Sequence, residues 1–249
     1  LGGVAPMRAA EMPTPGLVVN DQEYLETPGL DVTVFHDTYP EGHQGGVTII
    51  QNGVRVAPNG DLRLEPTPGQ WQPIPKVGAR TVDRAAGRMS VALAYPDPDR
   101  NRKGFNPIEY PDLAFSYRVH VTAAGSAFRI TVDLDQPLPQ AWIGQIGFNL
   151  ELFPATLFGK TFVVDGRTTG HFPPQLNGPL TPLAVGQTLV VAPESETQRL
   201  TIASLKGPLE LLDGRAQHNN GWFIVRSAVS AGATTAAVEW LVTPSVLPG

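Results

Sequence analysis

Apolar and polar residues alternate with a period of two along most of the chain, the pattern of strands that bury one face. The run 113–121 carries it most plainly. Leu113, Phe115, Tyr117, Val119 and Val121 fall on one side, and Ser116, Arg118, His120 and Thr122 on the other. Ala123-Ala124-Gly125-Ser126 turns the chain into Phe128, Ile130, Val132 and Leu134, a matching antiparallel partner. Comparable runs predict strands at 31–35, 47–50, 89–95, 146–152, 161–164, 188–192, 199–204, 209–212, 222–226 and 237–242. Gln51-Asn52-Gly53 and Pro58-Asn59-Gly60-Asp61 are both turn sequences, so a meander is expected there. No segment sustains a helical period between caps. The expectation is an all-β chain with little helix, a large antiparallel two-layer β-sandwich of the supersandwich kind.

Composition agrees with that class. The 249 residues include 26 Gly and 25 Pro, which punctuate the alternating runs and form no low-complexity tract. The length suits one large β domain, 1–249, with an extended Ala/Pro/Gly-rich lead-in at 1–16 and an exit linker at 243–249. The formal net charge of -5 argues against a nucleic-acid or anionic-membrane partner, each of which needs a basic face. There is no cysteine, which removes disulfides and thiolate metal sites. No apolar run reaches the roughly 20 residues that span a bilayer. The first residues lack the basic and apolar regions of a signal peptide.

Polar and aromatic residues concentrate in a few loops. The turn in LLDGRAQHNNGWFIVRS holds Asp213, Gly214, Arg215, Gln217, His218, Asn219 and Asn220 ahead of Trp222, donors and acceptors of the kind a sugar hydroxyl meets. Asp-Gly and Asn-Gly also suit a tight hairpin, so a well-capped turn accounts for the same residues. In HDTYPEGHQGG, His36, Asp37, Glu41 and His43 do not have the close spacing of common zinc motifs. Hydrogen-bonded loop histidines are the simpler reading. No metal site is assigned and no cofactor is expected, with a structural calcium left open.

The proline-rich EPTPGQWQPIPKVG holds Trp71 on a stiff support, where the indole face can stack on a pyranose ring or close the edge of the core. The long connection PDPDRNRKGFNPIEYPD offers Arg102 and Asn106, with Asp97 and Asp99 available to neutralise its basic residues. Glu151 shares a strand face with Asn149. One carboxylate is not a mechanism, because glycoside hydrolysis usually needs two. Asp37, Asp213 and Glu239 are partners that only folding can supply.

HDTYPEGHQGGVTIIQNG, RNRKGFNPIEYPDL, GFNLELFP with LFGKTF, LDGRAQHNNGWFIVRS and the closing WLVTPSVLPG together resemble the region ahead of the immunoglobulin-like and catalytic modules in bacterial glycoside hydrolase family 9 enzymes. The likeness covers nearly the whole chain. It implies an accessory module covalently linked to a catalytic unit, secreted, periplasmic or at the cell surface. Family 9 catalytic units are helical (α/α) barrels, so this β chain is not itself that catalyst. The resemblance implies a non-catalytic module, carbohydrate-binding or enzyme-supporting, and the leading expectation is a module that binds a plant β-glucan or hemicellulose. Trp71 and Trp222 are its candidate platforms, and Arg102, Asn106, His218, Asn219 and Asn220 its polar contacts. Two other expectations stand beside it: a structural module without ligand, and a sandwich-fold hydrolase or lyase using Glu151 with Asp37 or Asp213.

Overall fold

A computed structural model describes residues 15–36, 45–65, 73–98, 110, 112–176, 181–216 and 221–247. The first sheet is a meander of short strands: β1 (Val18–Val19), β2 (Leu25–Thr27), β3 (Leu30–Val34), β4 (Val47–Gln51) and β5 (Val54–Ala57). Its β4–β5 hairpin turns on Asn52 and Gly53, at φ 49° and 79°, where an Asn-Gly pair meets the left-handed backbone at little cost. The second turn sequence behaves differently. Pro58-Asn59-Gly60-Asp61 does not reverse the chain, since Asn59–Leu64 is β6, an edge strand of another sheet. Gly60 serves close approach here: a Cβ on it would stand 3.0 Å from the Val47 carbonyl and 3.1 Å from Leu150.

Next come β7 (Lys76–Asp83), β8 (Arg88–Tyr95), β9 (Phe115–Ala124), β10 (Ala127–Leu134) and β11 (Ile146–Leu152). The chain continues through β12 (Thr161–Val164), β13 (Thr168–His171), β14 (Ala184–Gly186), β15 (Thr188–Val191) and β16 (Leu200–Ser204). It closes with β17 (Leu209–Asp213), β18 (Phe223–Ala228) and β19 (Val238–Pro244). Among the described residues helical structure is confined to 3-10 turns, at Gln140–Trp142 and Gly214–Ala216. The alternating runs formed strands close to where they were expected. β13 and β14 fall in a stretch that its Pro, Asn and Gly content marks as loop; each is a short edge strand recruited by a stronger neighbour.

The large sheet has nine strands in the order β13-β12-β15-β16-β19-β10-β9-β8-β7, and a five-stranded sheet runs β14-β17-β18-β11-β6. One buried cluster joins residues of all three sheets, among them Leu25, Val32 and Ile49 of the meander, Val119, Ile130 and Trp240 of the large sheet, and Phe148 and Val225 of the small one. Facing strands meet where Phe148 stands edge-on to Trp240 at 5.0 Å and the Trp240 indole N–H donates to Ser227 Oγ at 2.8 Å. The meander abuts the small sheet through a parallel bridge, Gly46 with Gly60. The architecture is an all-β antiparallel sandwich, with the two five-stranded sheets side by side across from the large one.

The segment expected as an exit linker is pinned. Gln51 Nε2 donates to the carbonyls of Arg199 and Ser245, both at 2.8 Å, and the Leu247 N–H donates to Asn52 Oδ1 at 3.0 Å. The lead-in is tied as well from Pro15 on, whose carbonyl accepts from Thr27 Oγ1, while the Leu17 N–H donates to the Gly125 carbonyl.

Candidate functional site

Because Phe148 points at the large sheet, strand alternation sends Gly147, Asn149 and Glu151 of β11 to the opposite, outer face of the small sheet. Register extends that face on both sides. Asn149 lies between Asp61 of β6 and Arg226 of β18, and Glu151 between Asn59 and Ile224. Arg63 pairs with Gly147, and Glu210 of β17 with Arg226. Residues of the same parity therefore form a grid: Asn59, Asp61, Arg63 and Glu65 on one side, Asn149 and Glu151 in the middle, Arg226 and Glu210 beyond.

A strand face bearing these residue types is ordinarily solvated. Here Asn59, Asp61, Arg63, Glu65, Asn149, Glu151 and Arg226 are all buried. Buried charge is costly unless paired and hydrogen-bonded, and the grid is largely bonded. Arg63 donates to Asp61 Oδ2 at 3.1 Å and to the Leu62 carbonyl. Arg226 donates to Asn149 Oδ1 at 2.7 Å and to the Gln145 carbonyl at 2.9 Å. The Asn149 amide is thereby oriented, and its Nδ2 donates to Glu65 Oε1 at 3.2 Å. Asn59 Nδ2 donates to Glu151 Oε2 at 2.9 Å.

Gly147 makes room for the central cation. A Cβ there would stand 2.8 Å from the Arg226 guanidinium carbon and 2.7 Å from the Ser227 carbonyl. The free edge of β6 is closed by tyrosines of the large sheet: Tyr95 Oη donates to the Leu62 carbonyl and Tyr117 Oη to Asp61 Oδ1, both at 2.9 Å.

Burial raises the pKa of the three buried carboxyls of this layer, Asp61, Glu65 and Glu151. For Asp61 it outweighs Arg63, and for Glu151 it outweighs Arg63 and the Asn59 amide. Glu65 is pushed up to about 7 by burial, against the nearby Arg226 and reinforced by the neighbouring Glu151. Two acceptor atoms are left over. Glu65 Oε2 and Asn59 Oδ1 are buried without a hydrogen-bond partner among the described residues.

At one end the face becomes aromatic. Two residues on from Glu151 and two before Ile224, the rings of Phe153 and Trp222 meet 5.7 Å apart with 51° between their planes. Phe153 is exposed and Trp222 half-buried. Nearby, the exposed Phe158 carries the Arg215 guanidinium 5.3 Å above its ring. At the opposite end of β18, Ala228 and Glu210 border a groove of about 370 Å³ that is also lined by Lys206, Pro208, Ser230 and Thr235.

The sequence-derived candidates are placed unevenly. Trp222 stands at the aromatic end and Glu151 in the grid. Trp71, Arg102, Asn106, His218, Asn219, Asn220 and Asp37 lie outside the described residues. Asp213 does not meet Glu151. It pairs with Phe223, on the inner side of the sheet, and its carboxylate is held by Arg215 at 2.6 and 2.9 Å. Glu151 acts instead on Glu65, whose pKa it helps to raise, and Asp61 lies on the same face. The sequence signal for them was the alternation Asn59, Asp61, Arg63, Glu65, which an expected hairpin turn obscured.

His120 faces the outer side of the large sheet, as its strand position predicts, and is buried there. Its Nδ1 is 2.6 Å from Ser90 Oγ and its Nε2 3.0 Å from Asp133 Oδ2. Burial, aided by Arg88, lowers its pKa despite Asp133, so the contact with Asp133 is a hydrogen bond from a neutral ring near pH 7. Among the described residues no group of three or more His, Asp or Glu side chains is placed to hold a metal ion.

No family model matches this chain, and no curated protein does. Among solved structures it is similar to the Slr1438 protein from Synechocystis sp. PCC 6803, at 12% identity and a TM-score of 0.41, covering 97% of this chain and 98% of that one. No functional statement follows from that likeness.

Proposed function

We propose that this chain is a carbohydrate-binding module that serves a polysaccharide-degrading enzyme, taking a plant β-glucan or hemicellulose. The supporting observation is the partly exposed Phe153–Trp222 pair at the end of a face whose next row is Asn59 and Glu151. An indole offers its electron-rich face to the C–H groups of a pyranose ring, while amide and carboxyl groups beside it meet the hydroxyls. Such a pairing of one apolar plane with a few fixed polar groups suits a neutral sugar. The resemblance to the region ahead of family 9 catalytic modules supports the same role and an extracytoplasmic setting.

Affinity electrophoresis of the chain in gels containing cellulose derivatives, xyloglucan, mixed-linkage glucan or xylan tests the proposal. Retardation in at least one gel, lost in a folded Trp222→Ala protein, is the expected result. Retardation that survives this substitution moves the site elsewhere on the chain. The exposed Phe153 and Phe158 favour one other reading, a surface that packs against a neighbouring module. Migration unaffected by every glycan, with a raised melting temperature for a linked catalytic module, would establish that reading instead.

A further inference from the structure

Three polar side chains on the outer face of the large sheet form a relay that the core does not need. Ser90 of β8, His120 of β9 and Asp133 of β10 alternate with the buried pairs Met89 and Val91, Val119 and Val121, and Val132 and Leu134, so all three point away from the core. Register puts Ser90 directly across from His120 and His120 across from Thr131, with Asp133 two residues further along β10. Ser90 Oγ is 2.6 Å from His120 Nδ1, and His120 Nε2 is 3.0 Å from Asp133 Oδ2. Both separations suit a nucleophile, its base and the group that orients the base, which meet at roughly 2.6–3.2 Å.

The outer partner fixes the proton positions. A carboxylate only accepts, so Nε2 carries the ring hydrogen and Nδ1 is the bare nitrogen, to which Ser90 Oγ–H donates. Asp133 is itself held, because its Oδ1 accepts from the Ala236 N–H at 2.7 Å. The ring is buried while Ser90 and Asp133 stay partly exposed, so the base is shielded and the nucleophile is on the solvent side of the sheet. Burial and the nearby Arg88 lower the His120 pKa, which keeps the ring neutral near pH 7 and free to take a proton. Arg88 lies two residues before Ser90 on the same face, is exposed, and forms no ion pair among the described residues, whereas Arg118 is engaged by Asp135 at 3.3 Å. An uncommitted cation beside a nucleophile can steady the charge that develops on a carbonyl oxygen.

We propose that Ser90, His120 and Asp133 form an acyl-transfer site that hydrolyses small carboxylic esters, with Ser90 as nucleophile, His120 as general base and acid, and Asp133 as positioning residue. Ser90 Oγ attacks the ester carbonyl carbon while its proton passes to His120 Nδ1. The protonated ring, held through Nε2–H by Asp133, returns that proton to the departing alkoxide as the C–O bond breaks, and the acyl group stays on Ser90. A water molecule then gives a proton to Nδ1 and attacks the acyl carbon; the acid leaves, and Ser90 recovers its hydrogen from the ring. An open strand face encloses no long chain, so the acyl group is short. This activity goes beyond glycan binding and does not rest on it.

The test uses the full chain with p-nitrophenyl acetate and with a tagged fluorophosphonate. Release of p-nitrophenolate should exceed hydrolysis in buffer by about 10²-fold or more, and peptide mass spectrometry should place the phosphonyl adduct on Ser90. Ser90→Ala removes only a hydroxyl from a partly exposed position; it should abolish both signals and leave the far-UV circular dichroism unchanged. His120→Gln should lower turnover by about 10²-fold or more. In Asp133→Asn the Ala236 N–H keeps the amide oxygen, so the amide N–H faces Nε2, the ring hydrogen shifts to Nδ1, and kcat should fall with KM unchanged. Should His120→Gln fail to fold, Ser90→Ala and Asp133→Asn carry the test alone. A folded chain that does not label at Ser90, turnover that survives in Ser90→Ala, or an unchanged kcat in Asp133→Asn overturns the proposal.

Discussion

Replacing Glu65 by Gln should change how stability varies with pH, independently of any ligand. The Glu65 carboxyl moves from 4.5, the ordinary glutamate value, to about 7 on folding, because burial outweighs the attraction of Arg226. Between those values the native state binds more protons than the unfolded chain, so stability falls as pH rises through this window. At about 1.4 kcal/mol per pH unit the full penalty is about 3 kcal/mol, reached above pH 8 and absent below pH 4. Gln cannot ionise, so the substituted protein escapes the penalty.

Urea unfolding of both proteins from pH 5 to 8.5 reads the effect. The Glu65→Gln protein should gain about 2 to 3 kcal/mol on the wild type across that range. Parallel profiles would refute the reasoning, since they would mean that Glu65 ionises in the native state as readily as in the unfolded chain.

Three further outcomes follow from packing and hydrogen bonding. Phe148→Ala removes a fully buried ring from the contact with Trp240 and should cost about 3–5 kcal/mol in denaturant unfolding. Gly147→Ala drives a methyl into the Arg226 guanidinium and the Ser227 carbonyl; it should destabilise by about 1–3 kcal/mol, whereas the same change at the unhindered Gly221 should be near neutral. Tyr117→Phe strips a hydroxyl from buried Asp61, leaving Oδ1 the Leu62 N–H alone, and should lower stability by about 1–3 kcal/mol without changing the strand content seen by far-UV circular dichroism.

Alternation along the chain determined the central strands of the large sheet. β8, β9 and β10 are consecutive, pair in sequence order and bury one face each, so period two and a Gly-containing turn suffice to specify them. The Asn52-Gly53 hairpin was legible for the same local reason. Pro58-Asn59-Gly60 was not, because its turn chemistry is overridden by the pairing of β6 with β11, a strand far along the chain. That pairing also decided the site. Sequence placed Glu151 and Asn149 on one face, but it could not say that the face would be buried, or that Asn59, Asp61 and Glu65 would stand across from them. Asp213 was drawn to the inner side by its register with Phe223. Strand faces are set by nearest neighbours in sequence, whereas register between distant strands is set by which apolar faces fill the shared core. Whether a carboxylate sits in water or beside another carboxylate depends on that second choice, and only the tertiary structure makes it.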